Sequence, residues 1–416
     1  MSAPNAPNAP TAEQALLFQL LDQANRADPY PIYAQFRDRG PVLLPAANLA
    51  VFSTYGDCDE VLRHPSSSSD RVNSTAMRRL IESAASEPSM PRQPMPAMFL
   101  FLDPPDHTRL RKLVSKAFSP RVVSGLEAEI TALVKGMLDV IAEKGSFDVV
   151  EDFAYPLPVA VICRLLGVPL EDEPQFSRVS AVLARALDPF MAFTGEPVGL
   201  QERMQAALWL REYLSGLIER RRSLPADDLM SGLIAVEESG DQLTADEIIA
   251  TCMLLLVAGH ETTVNLIGNA VLAMLRAPGE WKALGADARR APAVVEETLR
   301  YDPPVQMLAR FAAQDMTVAG VDVPAGDAMM LLLASAQRDP TEFDRPDVFD
   351  PDRKILRHLG FGRGLHYCLG APLARLEAGV ALSAVAARFP DARVDDEPQY
   401  KANVTLRGLS GARVRV

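Results

Sequence analysis

Cysteine, histidine and aromatic residues are scarce in this chain. Its 416 residues include four cysteines, five histidines and two tryptophans, and aromatics make up 6%. Cys58, Cys163, Cys252 and Cys368 are widely spaced and suggest no disulfide framework, which fits a reducing cytoplasm. Positive charge is in deficit: the net charge is −12, so nucleic-acid binding has no global electrostatic support. The first ten residues, Met-Ser-Ala-Pro-Asn-Ala-Pro-Asn-Ala-Pro, contain no basic residue and no apolar core. A signal peptide or membrane anchor is not expected there; a disordered Pro/Asn/Ala tail over residues 1–12 is. No internal repeat or linker is visible. No Gly-x-Gly-x-x-Gly follows a strand pattern, so no flavin- or nicotinamide-binding segment is recognised.

Ala, Leu and Val dominate, which favours helices packed by aliphatic side chains. Helical periodicity begins near Ala12. Residues 42–44 and 49–53 read as a hairpin and 57–63 as a helix. Further helices are expected at about 121–143, 158–166, 173–187 and 200–222, and strands near 315–323 and 329–333. Residues 393–416 read as two or three short strands. The apolar loop Asp188-Pro-Phe-Met-Ala-Phe-Thr-Gly-Glu-Pro suits a movable lid or a plain connector. Thr244-x-x-Glu247 is a capping box, opening a helix that can run to Ala277, where Pro278-Gly279 stops it. That helix is too interrupted by acidic and histidine residues to span a membrane. In its middle stands Ala258-Gly259-His260-Glu261-Thr262-Thr263, where small residues leave room for a ligand. A threonine there can bond back to the carbonyl four residues earlier.

The stretch with most chemistry is Phe361-Gly362-Arg363-Gly364-Leu365-His366-Tyr367-Cys368-Leu369-Gly370, followed by a helix from Ala371 to about Arg388. Alone, Cys368 reads as a small buried hydrophobe. Its place before a helix N-terminus favours the thiolate, a strong iron ligand. The glycines permit close backbone approach to a flat ligand. A zinc site would want three or four Cys or His ligands, and only His366 and His358 lie nearby. Upstream, His107 and Arg111 share one helix face at i,i+4 after Asp103-Pro-Pro-Asp, and Glu297 and Arg300 form an i,i+3 pair before Pro303-Pro304.

The order Phe-Gly-x-Gly-x-His-x-Cys-x-Gly resembles the heme-binding loop of the cytochrome P-450 family, the heme-thiolate monooxygenases. The resemblance covers nearly everything after residue 15, with four motifs in the family's order. It implies a mainly α fold: a single large helical domain over residues 13–416 with a small, mostly antiparallel β region. Length alone would suggest two or three domains, but no linker divides the motifs. The implied cofactor is heme b (iron protoporphyrin IX). By the resemblance Cys368 is the proximal iron ligand and Phe361 packs beside the heme. His107, Arg111, Arg310 and His366 meet the propionates, while Ala258, Gly362 and Gly370 lie against the cofactor. Glu261 and Thr262 are the acid–alcohol pair of oxygen activation. Glu297 and Arg300 are a structural pair behind the cysteine loop. The family often adds a third basic residue in a Pro-x-Arg-Phe segment. Here that segment reads Pro346-Asp347-Val348-Phe349, and either Arg345 or Arg353 could substitute.

The implied function is insertion of one oxygen atom from O2 into an apolar small molecule (lipid, terpenoid, steroid or polyketide) with two electrons. The expected pocket residues are Met95, Met98, Phe99, Phe190, Met191, Leu254, Leu255, Val305, Met307 and Val404. Electrons should come from a ferredoxin and its ferredoxin reductase, docking on a cationic proximal face of Arg109, Lys112, Lys116, Arg357 and Arg363. Azoles should bind the iron opposite Cys368. A cytoplasmic monomer without a membrane anchor or a nucleic-acid partner is expected. The rival readings are a peroxide-dependent heme-thiolate enzyme and a non-catalytic heme-binding carrier or sensor.

Overall fold

The computed structural model describes residues 10–84, 98–184, 199–238, 243–354 and 356–416. Its axis is the helix Ala245–Arg276, opened by the reciprocal capping box between Thr244 and Glu247. At 32 residues it is about 48 Å long. By length and composition it could cross a membrane, but 67% of its most apolar window is buried inside the fold. It is surrounded by the helices Pro156–Leu166, Glu173–Ala184, Leu200–Ser223, Ala291–Tyr301 and Ala371–Arg388. An aliphatic core therefore wraps every side of it, and Ile248 through Val257 are buried without a break. Accessible surface returns at Ala258, Gly259, Glu261 and Thr262, and burial resumes from Thr263 to Met274. An opening at the midpoint of an otherwise enclosed helix is where a site can sit.

The β structure lies to one side. A five-stranded sheet runs in the order Val42–Leu44, Leu49–Phe52, Ala328–Leu331, Leu308–Ala312, Ser67–Ser68. Only the pairing of Leu49–Phe52 with Ala328–Leu331 is parallel. The expected hairpin is present, its turn made by Pro45–Ala47 and a left-handed Asn48. The single strand expected near 315–323 is instead a hairpin of Met316–Val318 and Val321–Val323. Ala319 and Gly320 both take positive φ between them, which reverses the chain in two residues. The helix expected over 121–143 is divided into Pro120–Gly125 and Glu127–Lys144. The C-terminal strands are Arg393–Val394, Gln399–Tyr400, Leu409–Gly411 and Arg413–Arg415.

Candidate active site

The cysteine loop is shaped by its backbone. Gly362 and Gly364 have φ of +68° and +67°, and a Cβ on Gly364 would come within 2.9 Å of the Leu62 carbonyl. The loop closes when the Cys368 N–H donates to the Phe361 carbonyl at 2.9 Å. The helix Ala371–Arg388 then starts with Pro372 in its first turn. Burial pushes the Cys368 thiol up, while the backbone N–H groups of Gly370 and Ala371 and the cations Arg111 and Arg375 pull it back toward the thiolate. Among the described residues no group of three or more His, Cys, Asp or Glu side chains is placed to hold a metal. The zinc alternative thus has no ligand set there. Cys368 suits an iron whose other ligands come from a macrocycle.

Four basic groups meet beside the loop. The rings of His107 and His366 are 4.1 Å apart. His107 is 1% exposed, and neither of its ring nitrogens has a hydrogen-bond partner. Burial and Arg111 push its pKa down. His366 falls to about 3 through burial and the neighbouring Arg310, His107 and Arg111. Arg310 falls to about 10, again through burial, with Asp103 opposing. Crowding two partly buried arginines against two imidazoles, with so little negative charge nearby, is costly unless an anion joins them. A flat group carrying two carboxylates fits both the orphaned imidazole nitrogens and the arginines. The sequence-expected set His107, Arg111, Arg310 and His366 is therefore brought together.

On the long helix, Leu254, Ala258 and Thr262 recur at i,i+4 and form one stripe. The Thr262 hydroxyl donates to the Ala258 carbonyl at 2.7 Å. Glu261 lies to one side and pairs with Lys401 at 3.3 Å. His260 points the other way, edge-on to Tyr155 at 5.1 Å.

Two adjacent acids clamp the loop from behind. Glu297 and Arg300, both 0% exposed, pair at 2.7 Å. Arg300 also donates to the carbonyls of Gln337, Pro346 and Val348. Gln337 in turn accepts from the Leu359 N–H at 2.9 Å, fixing the start of the loop. The third basic partner is Arg353, whose Nε lies 3.1 Å from Glu297. Arg345 points away to Asp350. Glu296, which the motif reading passed over, grips both ends of the loop: His358 before it at 2.9 Å and Arg375 after it at 2.5 Å. Burial opposes its ionisation, but Arg375 and His358 outweigh burial and take it to about 2. Arg375 also lies 4.6 Å over the Phe361 ring. The legible signal was the doubled acid before Thr-Leu-Arg and an arginine two turns beyond the cysteine.

The Cytochrome P450 family model matches residues 81–291 and 290–405. The chain belongs to the cytochrome P450 family. The vitamin D(3) 25-hydroxylase of Pseudonocardia autotrophica is 42% identical over 391 residues, 92% of each chain. Crystal structures of Mycobacterium smegmatis CYP164A2, ligand-free and with econazole bound, superpose at TM-scores of 0.91. They are 64% and 63% identical, and each comparison covers 97% of this chain and 100% of that one. The protein is a cytochrome P450 monooxygenase, and its cofactor is heme b.

Against the P450 expectations for the pocket, Leu254 and Leu255 lie buried one turn before Ala258, and Phe99 lies 6.4 Å from His107. Met98 packs partly buried beside this core, and Val305 spans it and the sheet cluster. Met307 is 0% exposed and belongs to the cluster of Tyr33, Phe36 and Phe311, next to the strand Leu308–Ala312. Val404 also packs on that N-terminal cluster rather than with the Leu254 stripe. Met95, Phe190 and Met191, and with the last two the whole of the expected lid, lie outside the described residues. The cationic face is smaller than expected. Arg109 pairs with Glu247 and Asp106, and Arg363 with Asp59 and the Tyr55 hydroxyl. Lys112, Lys116 and Arg357 remain as exposed cations.

Proposed function

We propose that Cys368 ligates the heme iron and that His107, Arg111, Arg310 and His366 hold its propionates, so that one oxygen atom from O2 enters an apolar small molecule above Ala258 and Thr262. The observation that carries this is the cluster of two arginines and two neutral imidazoles, with both ring nitrogens of buried His107 orphaned, beside a cysteine at a helix N-terminus. When bound, the heme supplies oxygen binding and the oxidising chemistry, with the thiolate favouring O–O cleavage.

The protein's own residues do the rest. The Thr262 hydroxyl donates its proton to the Ala258 carbonyl, which leaves its lone pairs free to hold a water by accepting its proton. Glu261, one residue away and 14% exposed at its side chain, is the general acid that resupplies the proton. Leu254, Leu255, Phe99 and Val305 exclude water from the substrate side. Glu296 and Glu297 keep the cysteine loop in place through paired arginines. The apolar lining supports a hydrophobic substrate, as does likeness to a vitamin D(3) hydroxylase and to a P450 solved with econazole. Two electrons reach the site from a ferredoxin docked over Lys112, Lys116 and Arg357.

The test is reconstitution with a ferredoxin and its reductase under labelled O2, using ligands chosen by optical titration of a hydrophobic library. One labelled oxygen per product, dependent on NAD(P)H, is expected. Product formed only with added peroxide would establish the peroxide-dependent alternative. Heme binding with no optical response to any apolar ligand would favour a carrier or sensor.

A further inference from the structure

Behind the cysteine loop one anion and one cation share a small network. Glu296 accepts two bonds from Arg375, from Nε at 2.5 Å and from Nη2 at 2.9 Å. Its Oε2 also lies 2.9 Å from His358 Nε2. The His358 Nδ1 accepts from the Gly360 N–H at 3.0 Å, so the Nε2–H is the donor to Glu296. Arg375 turns its remaining amino group, Nη1, to the Tyr367 hydroxyl at 3.2 Å. These groups enclose Phe361: the Arg375 guanidinium lies 4.6 Å over the ring, and the His358 and Tyr367 rings lie 5.9 and 6.3 Å away. The Phe361 carbonyl in turn accepts the Cys368 N–H. Arg375 therefore touches the loop itself, at Phe361 and Tyr367, whereas Glu296 reaches it only through Arg375 and His358. Arg375 is also one of the cations that draw Cys368 toward the thiolate.

We infer that Glu296 and Arg375 are positioning residues that set the reduction potential of the iron bound by Cys368 in opposite directions: the guanidinium favours an incoming electron and the carboxylate offsets it. The inference rests on Cys368 being the iron ligand and adds what balances the charge behind it. The step concerned is the uptake of one electron from a reduced ferredoxin. It adds one negative charge at the thiolate side, no bond is made or broken, and neither residue gives up a proton. A cation fixed beside that charge stabilises it, and an anion opposes it. The Phe361 ring covers one face of the guanidinium, and the His358 side chain is only 5% exposed. Arg375 and Glu296 themselves are 37% and 28% exposed. Solvent therefore screens part of the field, and each charge should move the reduction equilibrium about three- to tenfold. Glu297 is a different case. It is 0% exposed and shared by Arg300, Arg353 and the Asp350 N–H, so its removal unpacks the loop rather than tipping a balance of two charges.

The test is a spectroelectrochemical titration of the full-length holoprotein, without substrate or turnover. The variants are Glu296→Gln, Arg375→Met, the two combined, and Arg375→Lys, which keeps the charge. Glu296→Gln should favour the reduced state about three- to tenfold, where tenfold is about 59 mV for one electron. Arg375→Met should disfavour it by a similar factor. The combined variant should lie between the two, and Arg375→Lys should return toward the parent. A loosened loop admits water to the cysteine in either variant and moves both the same way. Shifts of the same sign, or no shift in either, therefore overturn the inference. Should one single variant lose its heme, the other decides by the sign of its shift, and the wrong sign or none overturns the inference. Loss of heme from both makes the pair structural only and overturns it too. If the heme-loaded parent lacks the thiolate-type band of the reduced carbon monoxide complex, the assignment of Cys368 has failed instead, and the parent alone separates the two failures.

Discussion

Arg353 should matter far more to this protein than its sequence neighbour Arg345. Arg353 is 9% exposed at its side chain and reaches Glu297 at 3.1 Å, whereas Arg345 is 61% exposed. Arg353 also donates to the carbonyls of Asp344, Arg345 and Val348. Replacing it by Met strands these acceptors and leaves buried Glu297 with Arg300 and the Asp350 N–H. Charge-assisted bonds are worth about 1.5–3 kcal/mol each, and breaking a buried pair costs about 3–5 kcal/mol. Because Glu297 keeps its main partner, the loss should fall at about 2–4 kcal/mol. Arg345→Met breaks a solvent-exposed pair with Asp350 and should cost under about 1 kcal/mol. The assay is the urea midpoint of the holoprotein, with the rate of heme release as a second readout. Release should quicken in Arg353→Met, since the Arg300–Gln337–Leu359 chain that anchors the cysteine loop depends on the same knot. Equal destabilisation by the two variants would refute the assignment of Arg353 as the third basic partner.

Thr262→Ala should keep heme and ligand binding while diverting electrons to peroxide; unchanged peroxide per NAD(P)H would make the hydroxyl structural. Charge reversal at Lys112, Lys116 and Arg357 together should slow reduction by a ferredoxin at low salt and flatten its salt dependence, as followed by stopped-flow absorbance. An azole should red-shift the heme band, and no shift at saturation would contradict an open position opposite Cys368. Glu377, 3% exposed with one oxygen unpartnered, is pushed up to about 8 by burial. A raised folded-state pKa in an acid means its contribution is fully present below the unfolded value and is lost as pH rises toward 8. Glu377→Gln should therefore flatten the stability profile between about pH 5 and 8 and stabilise the protein above it, on the order of 2 kcal/mol in urea titrations.

The parts of the fold set by local chemistry were legible beforehand. The Thr244/Glu247 capping box and Pro278 bounded the long helix to within a residue, and the last helix begins at Ala371 as expected after the glycine-rich loop. The Thr262 back-bond followed from residue type and spacing alone. Features needing long-range partners were not legible. Nothing local to Lys401 announces Glu261, which is 140 residues away. The choice between Arg345 and Arg353 depended on which arginine the loop after Pro346 turns inward. The strand Leu308–Ala312 was not foreseen, and with it the cluster that Met307 joins. The cationic face shrank because Arg109 and Arg363 find acids on other elements, Glu247 and Asp59.

The central claim is that Cys368 binds iron as a thiolate. The direct measurement is the absorbance of the reduced carbon monoxide complex of the full-length protein beside that of Cys368→Ser. The parent should show the thiolate-type band, and Cys368→Ser should lose it even where heme is retained. A thiolate-type band surviving in Cys368→Ser, or absent from a heme-loaded parent, would contradict the account.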